Sequence, residues 1–157
     1  MKWVTRERPK IDRLACPWLN RRFIDREAEI HYVPATEVLA VAESEGAIPF
    51  DVPGAELTHW GPLCSFDAFL EKYRLEDAAL ARLAEIVRAA DTDTLERSPQ
   101  APGLLAISLG LGANIGDDQE LLKTALPLYD ALYTWCRWLG GERHGWHSQT
   151  ILKEMGG

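Results

Sequence analysis

The alternation of hydrophobic and polar positions divides the chain into short strands near its start and amphipathic helices after them. Residues 2–7 carry Val4 and Thr5 at their centre and read as a strand. Residues 11–25 have a helical pattern interrupted by Pro17. An interior proline costs about 3 kcal/mol, whereas one at the first helical position costs little. The expected helix therefore runs over 17–25, after a turn at 11–15. Residues 29–33 form the next expected strand, closed by Pro34. Thr36 is placed to cap a helix over 37–44, with Gly46 as its stop. Two short apolar runs, 47–51 and 56–60, flank Val52-Pro53-Gly54-Ala55 and predict a hairpin. Ser65 is placed to cap a helix reaching Tyr73, with Phe66, Phe69, Leu70 and Tyr73 on one face. Leu80, Leu83, Val87 and Ala90 mark a helix over 76–90. A polar loop follows to Ala101. Residues 103–111 are apolar on all sides, which predicts burial. A long helix is expected over 117–139, kinked at Pro127, with one further helical turn at 149–155. The fold class is thus α/β: one domain over 1–139, with a small sheet from the N-terminal 60 residues packed against a mainly helical C-terminal part. Residues 140–157 are expected to be a flexible tail.

Composition agrees with a folded domain. The chain has 157 residues, 46% of them hydrophobic, and no apolar run approaches the ~18–20 residues of a membrane span. Its start has no apolar stretch of the signal-peptide kind. Three cysteines, Cys16, Cys64 and Cys136, are widely spaced and form no CxxC, which argues against a disulfide framework or zinc ribbon. A cytoplasmic domain is the expectation. The net charge of −7 speaks against direct nucleic-acid binding by the whole chain. Residues 1–30 nevertheless hold eight Lys/Arg against five Asp/Glu. That basic start suits a small anion, a protein partner or internal salt bridges.

Several residues could carry chemistry. Alternation along 56–60 turns His59 to the side of Leu57, the expected core side, where it is a satisfied core residue or a ligand. Asp91 falls within the Leu80–Leu83–Val87 stripe just past its helix, and an acid aimed at the core must be paired, protonated or metal-bound. His59 and Asp91 are the first candidates for a divalent-metal or acid–base site. Cys64 and Asp67 are second, although their spacing matches no standard zinc motif. Cys16, ahead of a helix starting at Pro17 and near Arg13, has the features of a reactive thiolate and is the candidate catalytic or redox residue; its other reading is a small buried hydrophobe. Arg13, Arg21 and Arg22 are candidates for contact with an oxyanion, against ordinary salt bridging. His144 and His147 form an HxxH in the tail that reads as surface histidines. The glycines at 110, 112 and 116 lack a βαβ context, so no nucleotide is expected.

The strings Lys2-Trp3-Val4-Thr5-Arg6-Glu7-Arg8-Pro9-Lys10-Ile11-Asp12-Arg13-Leu14-Ala15-Cys16-Pro17-Trp18-Leu19, Arg21-Arg22-Phe23-Ile24-Asp25 and Pro49-Phe50-Asp51-Val52-Pro53-Gly54 stand out. With His59, Cys64-Ser65-Phe66-Asp67-Ala68, Ala90-Asp91-Thr92, residues 100–111 and the stretch from Leu128 to Arg137, they resemble the C-terminal domain of the chromate-resistance protein B family. The resemblance implies a role in chromate resistance, where full-length relatives are proposed chromate-responsive regulators with an N-terminal half thought to bind DNA. Joined to the residues above, it gives two expectations. The first is a cytoplasmic domain with a metal- or oxyanion-binding pocket, open to redox chemistry and to chromate as ligand. The second is a non-catalytic, chromate-responsive sensor working with a separate DNA-binding partner. Self-association is left open.

Overall fold

The computed structural model describes residues 1–156. Strand β1 (Lys2–Arg6) is the centre of a three-stranded parallel sheet of order β2-β1-β3. Trp3, Val4 and Thr5 are all fully buried, as a central parallel strand covered on both faces requires. Their side chains alternate: Trp3 enters the main core, and Val4 packs with Val38, Ala47 and Val52 on the opposite face. Strand β2 (Glu29–Val33) pairs with β1 in the register Trp3↔Ile30, and β3 (Ile48–Pro49) in the register Trp3↔Ile48.

The crossover from β1 to β2 is helix α1 (Ile11–Leu19), extended by a π-helical turn over Asn20–Ile24. The expected helix start at Pro17 is therefore corrected, because Pro17 lies inside α1. A proline there leaves the carbonyl four residues earlier, that of Arg13, without its helical donor. The Tyr32 hydroxyl on β2 supplies the missing donor to that oxygen at 2.7 Å. A tertiary hydrogen bond thus offsets what local sequence forbids.

The expected hairpin also does not form. The Phe50 N–H donates to the Val4 carbonyl (3.1 Å) and its own carbonyl accepts the Thr5 hydroxyl (2.7 Å). With those groups committed to β1, the segment runs alongside β1 and meets Leu57 only through a parallel bridge from Phe50. His59 therefore sits on an irregular segment rather than a strand.

The helices follow the periodicity more closely. Helix α2 (Val38–Glu45) ends at Gly46 in the left-handed conformation, and a 3₁₀ turn over Ala35–Glu37 precedes it, so Thr36 is no cap. Helix α3 (Ser65–Lys72) is capped by Cys64 rather than by Ser65. Helix α4 (Ala78–Asp91) is capped by Asp77, whose carboxylate accepts from the Ala79 and Leu80 N–H groups. Helix α5 (Ala101–Asn114) holds the apolar run, but only Ala101, Leu104 and Ser108 are buried, and Ile107 and Leu109 are half exposed. The Arg8 guanidinium closes its C-terminus by donating to the carbonyls of Gly112, Ile115 and Gly116. Helix α6 (Asp118–Thr134) accommodates Pro127 and passes into a π-helical turn over Trp135–Leu139; α7 (Ser148–Glu154) buries Ile151. Among the described residues no helix is long and apolar enough to cross a membrane.

Candidate metal centre

Three segments far apart in sequence meet at one edge of the sheet. Strand β1 ends at Arg6, and the helix after it opens with Ile11 and Asp12. Strand β3 ends at Pro49, just before Asp51. This is the carboxyl edge of the parallel strands, the edge at which open α/β sheets bind ligands. Asp91 arrives there as the last residue of α4, and His59 from the segment between β3 and α3.

Each side chain is held by more than one contact. The Asp12 N–H, in the first turn of α1, donates to Asp91 Oδ1 at 3.2 Å, so Asp91 serves α1, which has no side-chain cap of its own. Asp12 Oδ2 accepts the N–H of Ser65 at 2.6 Å, at the start of α3. Asp51 adopts a left-handed backbone (φ 52°), a conformation that aspartate tolerates better than most residues. Its Oδ1 accepts the Ser65 hydroxyl at 2.7 Å. Its Oδ2 accepts from Arg6 at 2.9 Å and lies 3.4 Å from Arg13 Nε. Into this frame His59 projects Nε2, 2.7 Å from Asp91 Oδ2, 3.3 Å from Asp51 Oδ1 and 3.4 Å from Asp12 Oδ2. Exposure is graded: the Asp12 side chain is 0% exposed, Asp91 16% and His59 42%. Asp12 is the floor of the niche and His59 its rim.

The electrostatics follow from this crowding. Burial pushes the Asp12 carboxyl up to about 7; its bond to His59 opposes that shift, and the charges of Asp91 and Asp51 add to it. Burial likewise raises Asp91, with Asp51 adding to the shift. His59 is raised to about 9, first by the Asp12 carboxylate and then by Asp91 and Asp51, against its own partial burial. His59 Nε2 is the point around which the carboxyl groups of Asp12, Asp51 and Asp91 gather.

Asp12, His59 and Asp91 each offer one donor atom within 4.8 Å of the others. Donors about 2.1 Å from one ion at tetrahedral or octahedral angles stand about 3.0–3.4 Å apart, close to the spacings His59 makes here. One further atom points the same way. Asp12 Oδ1 is buried with no hydrogen-bond partner. A buried carboxylate oxygen without a partner is costly unless the group is protonated or a cation meets it.

The remaining candidates go elsewhere. Cys64 and Asp67 are used in capping α3: Asp67 Oδ2 accepts the Cys64 N–H at 3.0 Å, and the Arg88 guanidinium holds both Asp67 oxygens at 2.6 and 2.9 Å. They do not join the cluster. Cys16 lies in the interior of α1, fully buried, and burial drives its thiol well above its ordinary value. The low-pKa thiolate expected ahead of Pro17 is corrected accordingly, since the helix N-terminus is elsewhere. The three arginines do not converge. Arg22 grips Asp130 through two bonds of 2.8 Å, Arg21 donates to the Ala28 carbonyl, and Arg13 alone reaches the cluster. His144 and His147 are exposed.

Sequence reasoning missed Asp12, Asp51, Ser65 and Arg6. One signal was available for Asp12. Between Ile11 and Leu19 the only charged residues are Asp12 and Arg13, so a helix over this segment has little exposed polar surface.

No solved structure matches the chain. Protein ChrB of Cupriavidus metallidurans is 34% identical over 134 residues, which is 85% of this chain and 40% of that protein. The chain thus spans two fifths of the length of this relative. The family model described as ChrB, C-terminal domain, matches residues 3–136, which include every residue of the cluster, and the chain belongs to that family.

Proposed function

We propose that this domain serves chromate resistance in the cytoplasm as a divalent-cation-binding unit, with Asp12, His59 and Asp91 as ligands. The carrying observation is the convergence of one donor atom each from Asp12, His59 and Asp91 within 4.8 Å of one another. Two carboxylate oxygens and one imidazole nitrogen suit Mn²⁺, Fe²⁺ or Zn²⁺; no thiolate contributes. A cation is favoured over an oxyanion as the first ligand, because the niche is built of carboxylates and each nearby cation already has a carboxylate partner. Three buried free cysteines accord with a reducing compartment.

Elemental analysis of the purified protein, followed by calorimetric titration of the metal-stripped chain with Mn²⁺, Fe²⁺ and Zn²⁺, tests this reading. One ion per chain is expected, lost in Asp12→Asn. A stripped protein that binds none of the three overturns it. A second reading of the same site is a non-catalytic, chromate-responsive sensory module that works with a separate DNA-binding partner. Metal-dependent association with such a partner, without turnover, distinguishes it.

A further inference from the structure

We propose that a second cavity, between α4 and the π-helical turn over Trp135–Leu139, binds a small aromatic phosphate. Its lining carries this: two guanidiniums, two indoles and no carboxylate.

The cavity has a volume of about 450 Å³, within the range of small-molecule sites. Arg82 reaches it from α4, and Trp135, Arg137 and Trp138 from the turn, with Gly140 and Gly141 beyond. Arg82 sits about 13 Å along the axis of α4 from Asp91, and the cavity shares no residue with the metal niche. The glycines at 110, 112 and 116 take no part in it. Four other surface cavities each have a carboxylate in their lining, from Glu29, Glu56, Glu85 or Glu142. Here, in a chain of net charge −7, there is none. Arg137 and Trp138 also lie past residue 136, where the family match ends, so the site is not a property that the match carries over.

Both guanidiniums keep donors to spare. Arg82 donates through one Nη to the Cys136 carbonyl at 2.9 Å, and Arg137 through one Nη to the Tyr133 hydroxyl at 3.4 Å. A guanidinium has five N–H groups, and neither arginine forms an ion pair among the described residues. The acids around them are placed elsewhere. Asp77 accepts the Tyr133 hydroxyl at 2.7 Å and caps α4, and Glu85, one turn along α4 from Arg82, lines a different cavity. Two guanidinium forks at one cavity suit a phosphate dianion. The two indoles, both partly buried, offer apolar surface to a planar ring, and the Arg137 guanidinium stands 5.1 Å from the Trp138 ring centroid. The net negative charge of the chain disfavours a polyanion, which leaves a single phosphate ester as the fitting ligand. Nucleoside monophosphates and aryl phosphates share this chemistry. No bond is made or broken in the ligand.

The test uses the full metal-stripped chain, so that no ion at the niche supplies a phosphate contact. Adenosine monophosphate, phenyl phosphate, inorganic phosphate and adenosine are titrated by calorimetry. One-to-one binding of at least one aromatic phosphate is expected, tighter than inorganic phosphate or adenosine by about tenfold or more. A lead of adenosine monophosphate assigns the nucleoside source, and a lead of phenyl phosphate the aryl source. Arg137→Gln and, separately, Arg82→Gln should each weaken that binding by about tenfold. Inorganic phosphate or adenosine binding as tightly as the better aromatic phosphate overturns the proposal, as does no saturable binding of either aromatic phosphate up to about 10 mM. Unchanged affinity in folded Arg137→Gln overturns it as well. Arg137 is exposed, so that variant decides the matter even if Arg82→Gln, which also releases the Cys136 carbonyl, does not fold.

Discussion

Replacing Asp12 by Asn separates a ligand from a structural carboxylate. The side chains are nearly isosteric, and the amide oxygen can still accept the Ser65 N–H that Asp12 Oδ2 takes at 2.6 Å. Removing one partner of a buried ion pair can cost about 3–5 kcal/mol when the other charge is stranded. Here the other charge is not stranded. His59 keeps Asp91 at 2.7 Å and Asp51 at 3.3 Å, and its side chain is 42% exposed. The substitution also removes a charge whose burial opposes folding. The amide NH2, however, takes the place of Oδ1, which has no hydrogen-bond partner, so metal-free stability should fall by about 1–3 kcal/mol. The metal response should behave differently. An ion at a hundredfold over its dissociation constant stabilises the wild type by about 2.7 kcal/mol. At about 2–4 °C per kcal/mol for a domain of this size, Tm rises by about 5–11 °C. Thermal unfolding in chelator and then in excess Zn²⁺ or Mn²⁺ measures both quantities. The expected result is a lower baseline Tm for Asp12→Asn and a metal shift in the wild type alone. An Asp12→Asn protein that keeps the full shift would refute the assignment of Asp12 as a ligand.

Other consequences follow from the same contacts. The stabilisation from protonated His59 is complete below its ordinary value of 6.5 and is lost as pH rises through about 9, and Asp12, raised to about 7, adds a loss of the same sign, so metal-free wild type should lose stability as pH rises from 6 to 9; denaturant titrations at pH 6, 7.5 and 9 check this, and a flat profile would refute it. Metal affinity has the opposite slope, because the ion displaces the His59 proton, and calorimetry between pH 7 and 8 should show it rising about tenfold. Tyr32→Phe leaves the Arg13 carbonyl without the donor that replaces the Pro17 N–H and should cost about 1–3 kcal/mol; unchanged unfolding would show that water satisfies that carbonyl. All three thiols are buried, so a limiting alkylating reagent at pH 7 should label none of them appreciably before unfolding; rapid native labelling of Cys16 would restore it as a redox candidate.

The errors in reading the sequence share one physical origin. Residues 29–33, with Ile30, Tyr32 and Val33, form the expected strand, and the Leu80–Leu83–Val87 period forms a helix ending at Asp91. Those elements are written in local periodicity. Pro17 and the hairpin fail because their outcomes are settled by partners elsewhere in the chain: Tyr32 at one, Val4 and Thr5 at the other. The site divides in the same way. His59 and Asp91 stand out because each is a polar residue on an apolar side, and the structure brings them to 2.7 Å. Asp12 did not stand out, because an aspartate beside Arg13 reads as a counter-ion, and Asp51 did not, because it falls in an arm of the expected hairpin. Asp51 is a counter-ion to Arg6 and Arg13, while its other oxygen faces His59.

The position of the cluster was accessible by a different route. A strand, a helix and a second strand within the first 33 residues make a βαβ unit, and its parallel pairing sends the carboxyl ends of the strands to one edge. Any polar residue early in the crossover helix, or just after a neighbouring parallel strand, then belongs near that edge. Asp12 satisfies the first condition and Asp51 the second once β3 is recognised as a neighbour of β1 rather than an arm of a hairpin. The misread hairpin thus concealed both the third strand and the residue that links the guanidiniums to the imidazole. Knowing which strand takes the backbone hydrogen bonds of Phe50 is enough to bring Asp51 to the same edge as Asp12.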